Sequence, residues 1–417
     1  MPMPSFKLLL LASAATGVLM QPASALEAQA FVDRVAEVYQ HIGYDFEFGP
    51  ATLDGDTVTV DGVTVNMAGL EGTEDEPTSF TTDTVITFSG VTERPDGSYM
   101  AQSVTIPDID ADFAEEPTGH ITLSDIRLDG LYVPAGDTVP ATDILQLVAS
   151  ISTGPLTIER EGAQVFAYER MEAANTFNPE QGSDALVDMT ASLSITGMAL
   201  DLSSIEEDDP GAAETIEQLG LTNVTGDITQ RLTWSMADGR MVVDEFLFDF
   251  ADVGALDINL DITGMTPAVL DQIYAMQAQM AATGEEASEE QSQAQMMQGM
   301  AIMQGVSIAG ASIRYDDASL AGKLLDYFAA QSGSDRAGFV EGLKATLPGL
   351  VAQSGIPALN DLVVPPVSAF LDDPQSIEIA VAPPSPTSVL VLMAAAANPA
   401  GLITALGLSV QANQQAD

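Results

Sequence analysis

Apolar residues recur along this chain with two different periods, and the change of period divides it. Phe31, Val35, Val38 and Ile42 fall at helical spacing, which predicts one amphipathic helix over Glu27–Ile42. Beyond it the period drops to two. Val58, Val60, Val63 and Val65 surround Asp61-Gly62, a pattern of either a tight turn or a bulge in one long strand. Thr84–Glu93 and Ser98–Ile106 flank Arg94-Pro95-Asp96-Gly97, a strong hairpin signal. Gly119–Val133 reads as a further strand with a kink or turn at Asp129-Gly130, and Thr142–Ile151 as a short helix.

The clearest unit runs from about Val224 to Thr263. Ile228, Leu232, Trp234 and Met236 share one face of a strand, Asp238-Gly239 turns the chain, and Phe246, Phe248 and Phe250 share one face of the next. After a turn near Asp252-Val253-Gly254, Leu256, Ile258, Leu260 and Ile262 alternate with Asp257, Asn259, Asp261 and Thr263. Such a meander is an antiparallel sheet with one wet face. Leu186–Leu202 predicts a strand before it and Val306–Tyr315 one after it.

Helical periodicity returns at the C-terminal end. Pro267–Gln304 is helical on both sides of a polar break at Thr283–Ser292. Asp317 is placed to cap a helix over Ala318–Gln331, where Leu320, Leu324, Leu325 and Phe328 form a stripe. Short helices fit Asp335–Leu347 and Pro366–Leu371. Val389–Val410 is apolar but interrupted by Asn398-Pro399, so it reads as two short packed segments and not as a membrane span. The fold class expected is α+β: a curved antiparallel β-meander sheet covered by helices, with a helical C-terminal part. Residues 26–265 form a β-rich body with an N-terminal helix, and 266–417 a mainly helical part with one added strand.

Charge and composition narrow the function. The 417 residues hold 61 Asp+Glu against 12 Lys+Arg, a formal charge of −49, with two His and no Cys. A polyanion of this strength is repelled by nucleic acid. The absence of Cys removes disulfides, thiolate metal sites and a Cys nucleophile. An apolar fraction of 46% is ample for a core. At the N-terminus, Lys7 precedes the apolar run Leu8–Met20, and Ala23-Ser24-Ala25 offers small residues for cleavage after Ala25, so residues 1–25 read as a secretory signal peptide. The expected location is the periplasm; secretion, or anchoring by an uncleaved N-terminal helix, is the alternative. No stable transmembrane span is expected after cleavage.

Candidate chemistry is sparse. No Gly-x-Ser-x-Gly or phosphate loop occurs, and His41 and His120 read as a helix-end and a strand-opening residue. Asp108-x-Asp110-x-Asp112 imitates the start of an EF-hand loop but has Phe113 where Gly is needed and Gly119 where Glu is needed. Met296, Met300 and Met303, with Met297 beside them, could present thioethers to Cu(I) or, far more simply, form a flexible apolar wall. No motif implies a cofactor or a resident metal, and no catalytic residue can be named. The informative feature is the apolar face of Leu232, Trp234, Phe246, Phe248, Phe250, Leu256, Ile258, Leu260 and Ile262. It is covered by the protein's own helices or lines a groove for an apolar ligand.

Four segments, LDGDTVTVDGVTV, ADGRMVVDEFLFDFADVGALDINLDITGM, VSIAGASIRYDDASLAGKLLDYFAAQSG and VSAFLDDPQSIEIAVAPPSPTSVLVLMAAAANPAGL, resemble those of uncharacterised exported alphaproteobacterial proteins and, more loosely, AsmA-like envelope proteins. The resemblance implies a long curved β-groove used in lipid handling. None of the segments is a catalytic motif, and this chain is shorter than the AsmA-like group. The expectation is a non-catalytic periplasmic protein that binds lipid or another apolar envelope ligand. The alternatives are a structural module that contacts envelope proteins and, third, a carboxylate-based hydrolase.

Overall fold

The computed structural model describes residues 26–41, 44–67, 79–115, 118–136, 139–182, 187–203, 210–283, 289–395 and 399–414. The N-terminal apolar run, the cleavage expected after Ala25, and Ile42 lie outside them. Helix α1 (Ala28–Gln40) precedes strands β1 (Tyr44–Phe48), β2 (Ala51–Asp54), β3 (Thr57–Met67), β4 (Ser79–Ser89), β5 (Thr92–Glu93), β6 (Tyr99–Ile106), β7 (Ile109–Glu115), β8 (Thr118–Leu123) and β9 (Ile126–Val133). The short α2 (Ala141–Leu145) leads to β10 (Val148–Thr153), β11 (Leu156–Arg160), β12 (Ala163–Tyr168), β13 (Arg170–Asn178) and β14 (Asp188–Asp201). Next come α3 (Pro210–Leu219) and the meander β15 (Asn223–Ser235), β16 (Arg240–Phe250) and β17 (Gly254–Thr263). The C-terminal part holds α4 (Pro267–Thr283), α5 (Glu289–Gly305), β18 (Ser307–Asp317), α6 (Leu320–Gln331), α7 (Arg336–Ala352), α8 (Ala358–Asp372), β19 (Ser376–Val381), β20 (Thr387–Ser388), α9 (Val389–Ala395), α10 (Pro399–Leu406) and β21 (Ser409–Ala412).

All these strands join one open antiparallel sheet, so the fold is α+β with a helical C-terminal region. Its main leaf runs β3, β4, β6, β9, β10, β13, β14, β15, β16, β17, β18, β19, β21, with β1 and β2 both on the outer side of β3. A second leaf, β7–β8–β11–β12, continues from the same long strands and rejoins the main leaf on β14. The two leaves meet at a crease where each long strand breaks: Pro107-Asp108, Ser124-Asp125, Gly154-Pro155 and Glu169. Proline lacks the donor that a ladder needs, and Asp125 takes a left-handed conformation (φ 53°). Its N–H donates to Asp108 Oδ1 at 3.0 Å, while Gly154 N–H reaches Ser124 O at 2.8 Å.

Several sequence expectations need correction here. Thr142–Ile151 is not one helix: the helical turn ends at Leu145, and Val148–Thr153 extends as β10 because it is hydrogen-bonded on both sides by β9 and β13. Gly119–Val133 is two strands, broken at Ser124-Asp125; Gly130 (φ 65°) twists β9 without ending it. The C-terminal part contributes β18, β19, β20 and β21, not a single added strand. At Asp61-Gly62 the chain continues as β3 with a bulge against β4. Asp317 is not the N-cap residue: Ser319 holds that position before Leu320, and Asp317 reaches past it to accept from Ala321 N–H at 2.8 Å.

Two clusters hold the sheet. In the first, Phe31, Val32, Val35 and Val38 of α1 pack on Val58, Val60, Ile86, Phe88, Val104 and Leu131. Phe31 meets Phe88 and Tyr99 edge to face, with centroids 5.2 and 5.5 Å apart. In the second, Val187, Met189, Trp234 and Met236 are covered by Met265 and by Leu270 of α4. The indole N–H of Trp234 donates to Met265 O at 2.7 Å, which satisfies the one polar atom of that side chain.

Candidate functional site

Strand register lines up side chains into rows that cross the whole main leaf. One row reads Leu53, Val58, Phe88, Val104, Leu128, Ile151, Ala173, Leu193, Gln230 and Phe246. Beyond a bulge between β16 and β17 it resumes as Ile258, Ile313, Ile379 and Val410. Gln230 is its only polar member. The adjacent row, one residue along each strand and therefore on the opposite face, reads Thr52, Thr59, Thr87, Thr105, Arg127, Ser152, Glu172, Ser194, Thr229, Leu247, Asp257, Arg314, Glu378 and Gln411. Period-two alternation thus produces one apolar face and one polar face, with Leu247 the single apolar member of the polar row.

The apolar face is covered unevenly. Under α1 it is closed: Phe88 is 3% exposed and Val104 4%. Toward the C-terminal edge it opens, until Ile313 and Ile379 are 52% and 51% exposed. Of the residues singled out from sequence, Leu232, Phe246, Phe248, Phe250, Leu256, Ile258 and Leu260 lie half-buried on this face. Trp234 and Ile262 lie on the same face but are buried. The rings of Phe246 and Phe248 pack in a tilted arrangement with 4.6 Å between centroids. Bulges at Val243–Leu247 and Arg231–Leu232 keep them facing the same way as Leu232.

An apolar cavity lies at the α1 end of this face. Val35 and Tyr39 of α1, Phe46 and Phe48 of β1, and Ile86, Val104, Leu128 and Leu131 of the sheet enclose about 380 Å³. Ile109 and Ala111 of β7 complete the wall, so the second leaf folds over the cavity mouth. A neighbouring cavity of about 340 Å³ shares Tyr39 and continues along Leu147, Val148 and Ile151. Burial pushes the Tyr39 phenol up to about 12, so it stays neutral at physiological pH. This pocket was not legible from the sequence, because it needs α1, β1 and β7 brought together from three separate segments. The one available hint was Phe46 and Phe48 alternating directly after the amphipathic helix.

The remaining candidates separate. Asp108, Asp110 and Asp112 do not form a cation loop; the last two sit on extended β7, and His120 of β8 lies between them, Nδ1 2.8 Å from Asp112 and Nε2 3.2 Å from Asp110. His41 Nδ1 lies 2.8 Å from Glu37 O of its own helix. Met296, Met297 and Met300 are exposed on α5, Met303 is half-buried, and Ile302 is the residue that helix buries. Among the described residues, no group of three or more His, Asp or Glu side chains is arranged to hold a metal ion, and no helix is long and apolar enough to cross a membrane.

The Asp112 hydrogen bond, reinforced by the charge of Asp110, raises the His120 pKa above its ordinary value. A raised folded pKa means the protonated ring is favoured by folding. That stabilisation is complete below the unfolded value of about 6.5 and is lost as pH rises through the folded value. Asp112→Asn is expected to bring the His120 titration down toward that value, read from its ring proton shifts by NMR; an unmoved midpoint would contradict the pairing.

These observations define an open antiparallel sheet with a continuous apolar face that ends in a pocket beneath one helix. A family profile described as "Uncharacterized protein" matches residues 247–413, which begins within β16 and takes in the C-terminal helices and strands. No curated protein matches the chain.

Proposed function

We propose that this protein is a non-catalytic periplasmic binder of lipid, or of another apolar envelope ligand, held along the apolar face of its sheet. The observation that carries the reading is the apolar row running from Leu53 to Val410 with Gln230 as its only polar member. A face whose only task was to pack against the protein's own helices would be buried along its length, and this one is half-buried through its middle and open at its C-terminal edge. At about 4.8 Å per strand the row extends roughly 60 Å, far beyond what one acyl chain needs. The pocket under α1 falls at the low end of the range for small-ligand sites, about 300–1,000 Å³. The resemblance to AsmA-like envelope proteins supports the same reading.

The test is native mass spectrometry of the protein purified from a bacterial periplasm without detergent, followed by organic extraction. A discrete adduct that resolves into a lipid or another long-chain compound is expected. A clean apo mass would reject lipid carriage and leave a structural or protein-contacting module as the better reading.

A further inference from the structure

The pocket under α1 has apolar walls but an acidic rim, and the rim bears on what can enter. Its polar lining groups are Tyr39, Thr84, Asp108 and Asp110, and no Lys or Arg is among them. Alternation along β7 turns Ile109 and Ala111 toward the apolar side and leaves Asp108 and Asp110 exposed where the cavity meets solvent. His120 offers no counter-charge to a ligand, because both of its ring nitrogens are taken up by Asp110 and Asp112. The whole molecule adds a formal charge of −49. An apolar chain that fills the pocket must leave its polar end at this rim.

We infer that the pocket selects amphiphiles whose polar end is uncharged or cationic, with Asp108 and Asp110 as the residues that disfavour a carboxylate or phosphate there. This rests on the reading of the pocket as a ligand site. An anionic end group close to an exposed carboxylate in high dielectric is disfavoured by about fivefold per close charge at low salt, and less as salt screens it. The effect on ligand choice is therefore severalfold, large enough to measure and small enough to leave the fold alone.

The test compares probes of one chain length, dodecanol, dodecylammonium and dodecanoate, as competitors of a fluorescent neutral alkyl probe at pH 8.5 and low salt. Asp108→Asn/Asp110→Asn is measured beside the parent protein, since a carboxylate is also harder to desolvate and only the variant isolates the rim. The amide that replaces the Asp108 carboxylate retains an oxygen to accept the Asp125 N–H. Dodecanoate is expected to bind at least tenfold more weakly than dodecanol, with dodecylammonium the tightest of the three. In the variant the dodecanoate penalty is expected to shrink by about fivefold for each of the two carboxylates that lies close to the end group, with dodecanol unchanged. Equal affinity for dodecanoate and dodecanol in the parent would overturn the inference, and so would a penalty that the variant leaves intact. If the neutral probe itself fails to bind the parent, the ligand-site reading falls, and the selectivity falls with it.

Discussion

Phe31→Ala is expected to destabilise the protein by about 3–5 kcal/mol, the usual cost of truncating a fully buried phenylalanine. Phe31 is wholly excluded from solvent and is the residue through which α1 grips the sheet, with Phe88 and Tyr99 against its ring. The cavity left behind would lie between α1 and the sheet, where the remaining contacts come from the three valines of the same helix face. Urea unfolding followed by circular dichroism measures the loss as a drop in midpoint with little change in slope. A shift smaller than about 1 kcal/mol would mean that α1 is not a fixed part of the fold. Because Val35 and Tyr39 of α1 are walls of the pocket, the same variant should also lose affinity for an alkyl probe.

The second large effect separates binding from stability. Ala111→Trp places an indole at the mouth of the pocket, on β7, where the native methyl group is only half-buried. The added bulk occupies a good part of a cavity of about 380 Å³. Affinity for a neutral alkyl probe is expected to fall roughly tenfold or more, a loss of about 1.4 kcal/mol per factor of ten. The unfolding free energy from urea titration should stay within about 0.5 kcal/mol of the parent, since no packed core residue is displaced. Unchanged affinity in a folded variant would place the ligand further along the apolar face, toward Phe246 and Phe248, and would exclude the α1 pocket as the main site.

The sequence made the meander readable because each of its strands is long and turns are marked. Arg94–Gly97 and Asp238-Gly239 are unambiguous punctuation, and Leu256–Thr263 alternates without a fault. The α1 face was readable for the same reason at the helical period. Failures fell where local pattern and tertiary pairing disagree. Val148–Ile151 continues the helical reading of Thr142–Ile151 as well as it fits a strand, and only hydrogen bonding to β9 and β13 decides for strand. The segment from Leu156 to Asn178, which holds three strands, carries apolar residues at irregular intervals because its strands cross the crease at Glu169 and change leaf.

The candidate site was half legible. That Phe246, Phe248 and Phe250 share a face follows from spacing alone. That this face is continuous with Phe88 and Val58 on one side and Ile379 and Val410 on the other depends on register between strands far apart in sequence, which spacing within one strand does not encode. The apolar stripe sought on α5 shows the converse error. Met296, Met300 and Met303 fall at core-like intervals, yet the helix turns Ile302 inward and leaves Met296 and Met300 to solvent.

One property of the sheet bears on how such a molecule could be assembled and altered. Counting each creased pair of strands as one, nearly every strand is bonded to the strands before and after it in the chain. A structure of this kind has mostly short-range connections, so it can close progressively, strand upon strand, without first bringing its termini together. Its stability is then close to a sum of neighbour terms, as in repeat proteins, and no single closing event holds the ends in place. Length becomes an adjustable quantity. Inserting one further hairpin at a turn such as Ala237–Gly239 would lengthen the trough by roughly 10 Å and replace only the β15–β16 pairing, leaving every other pairing in place.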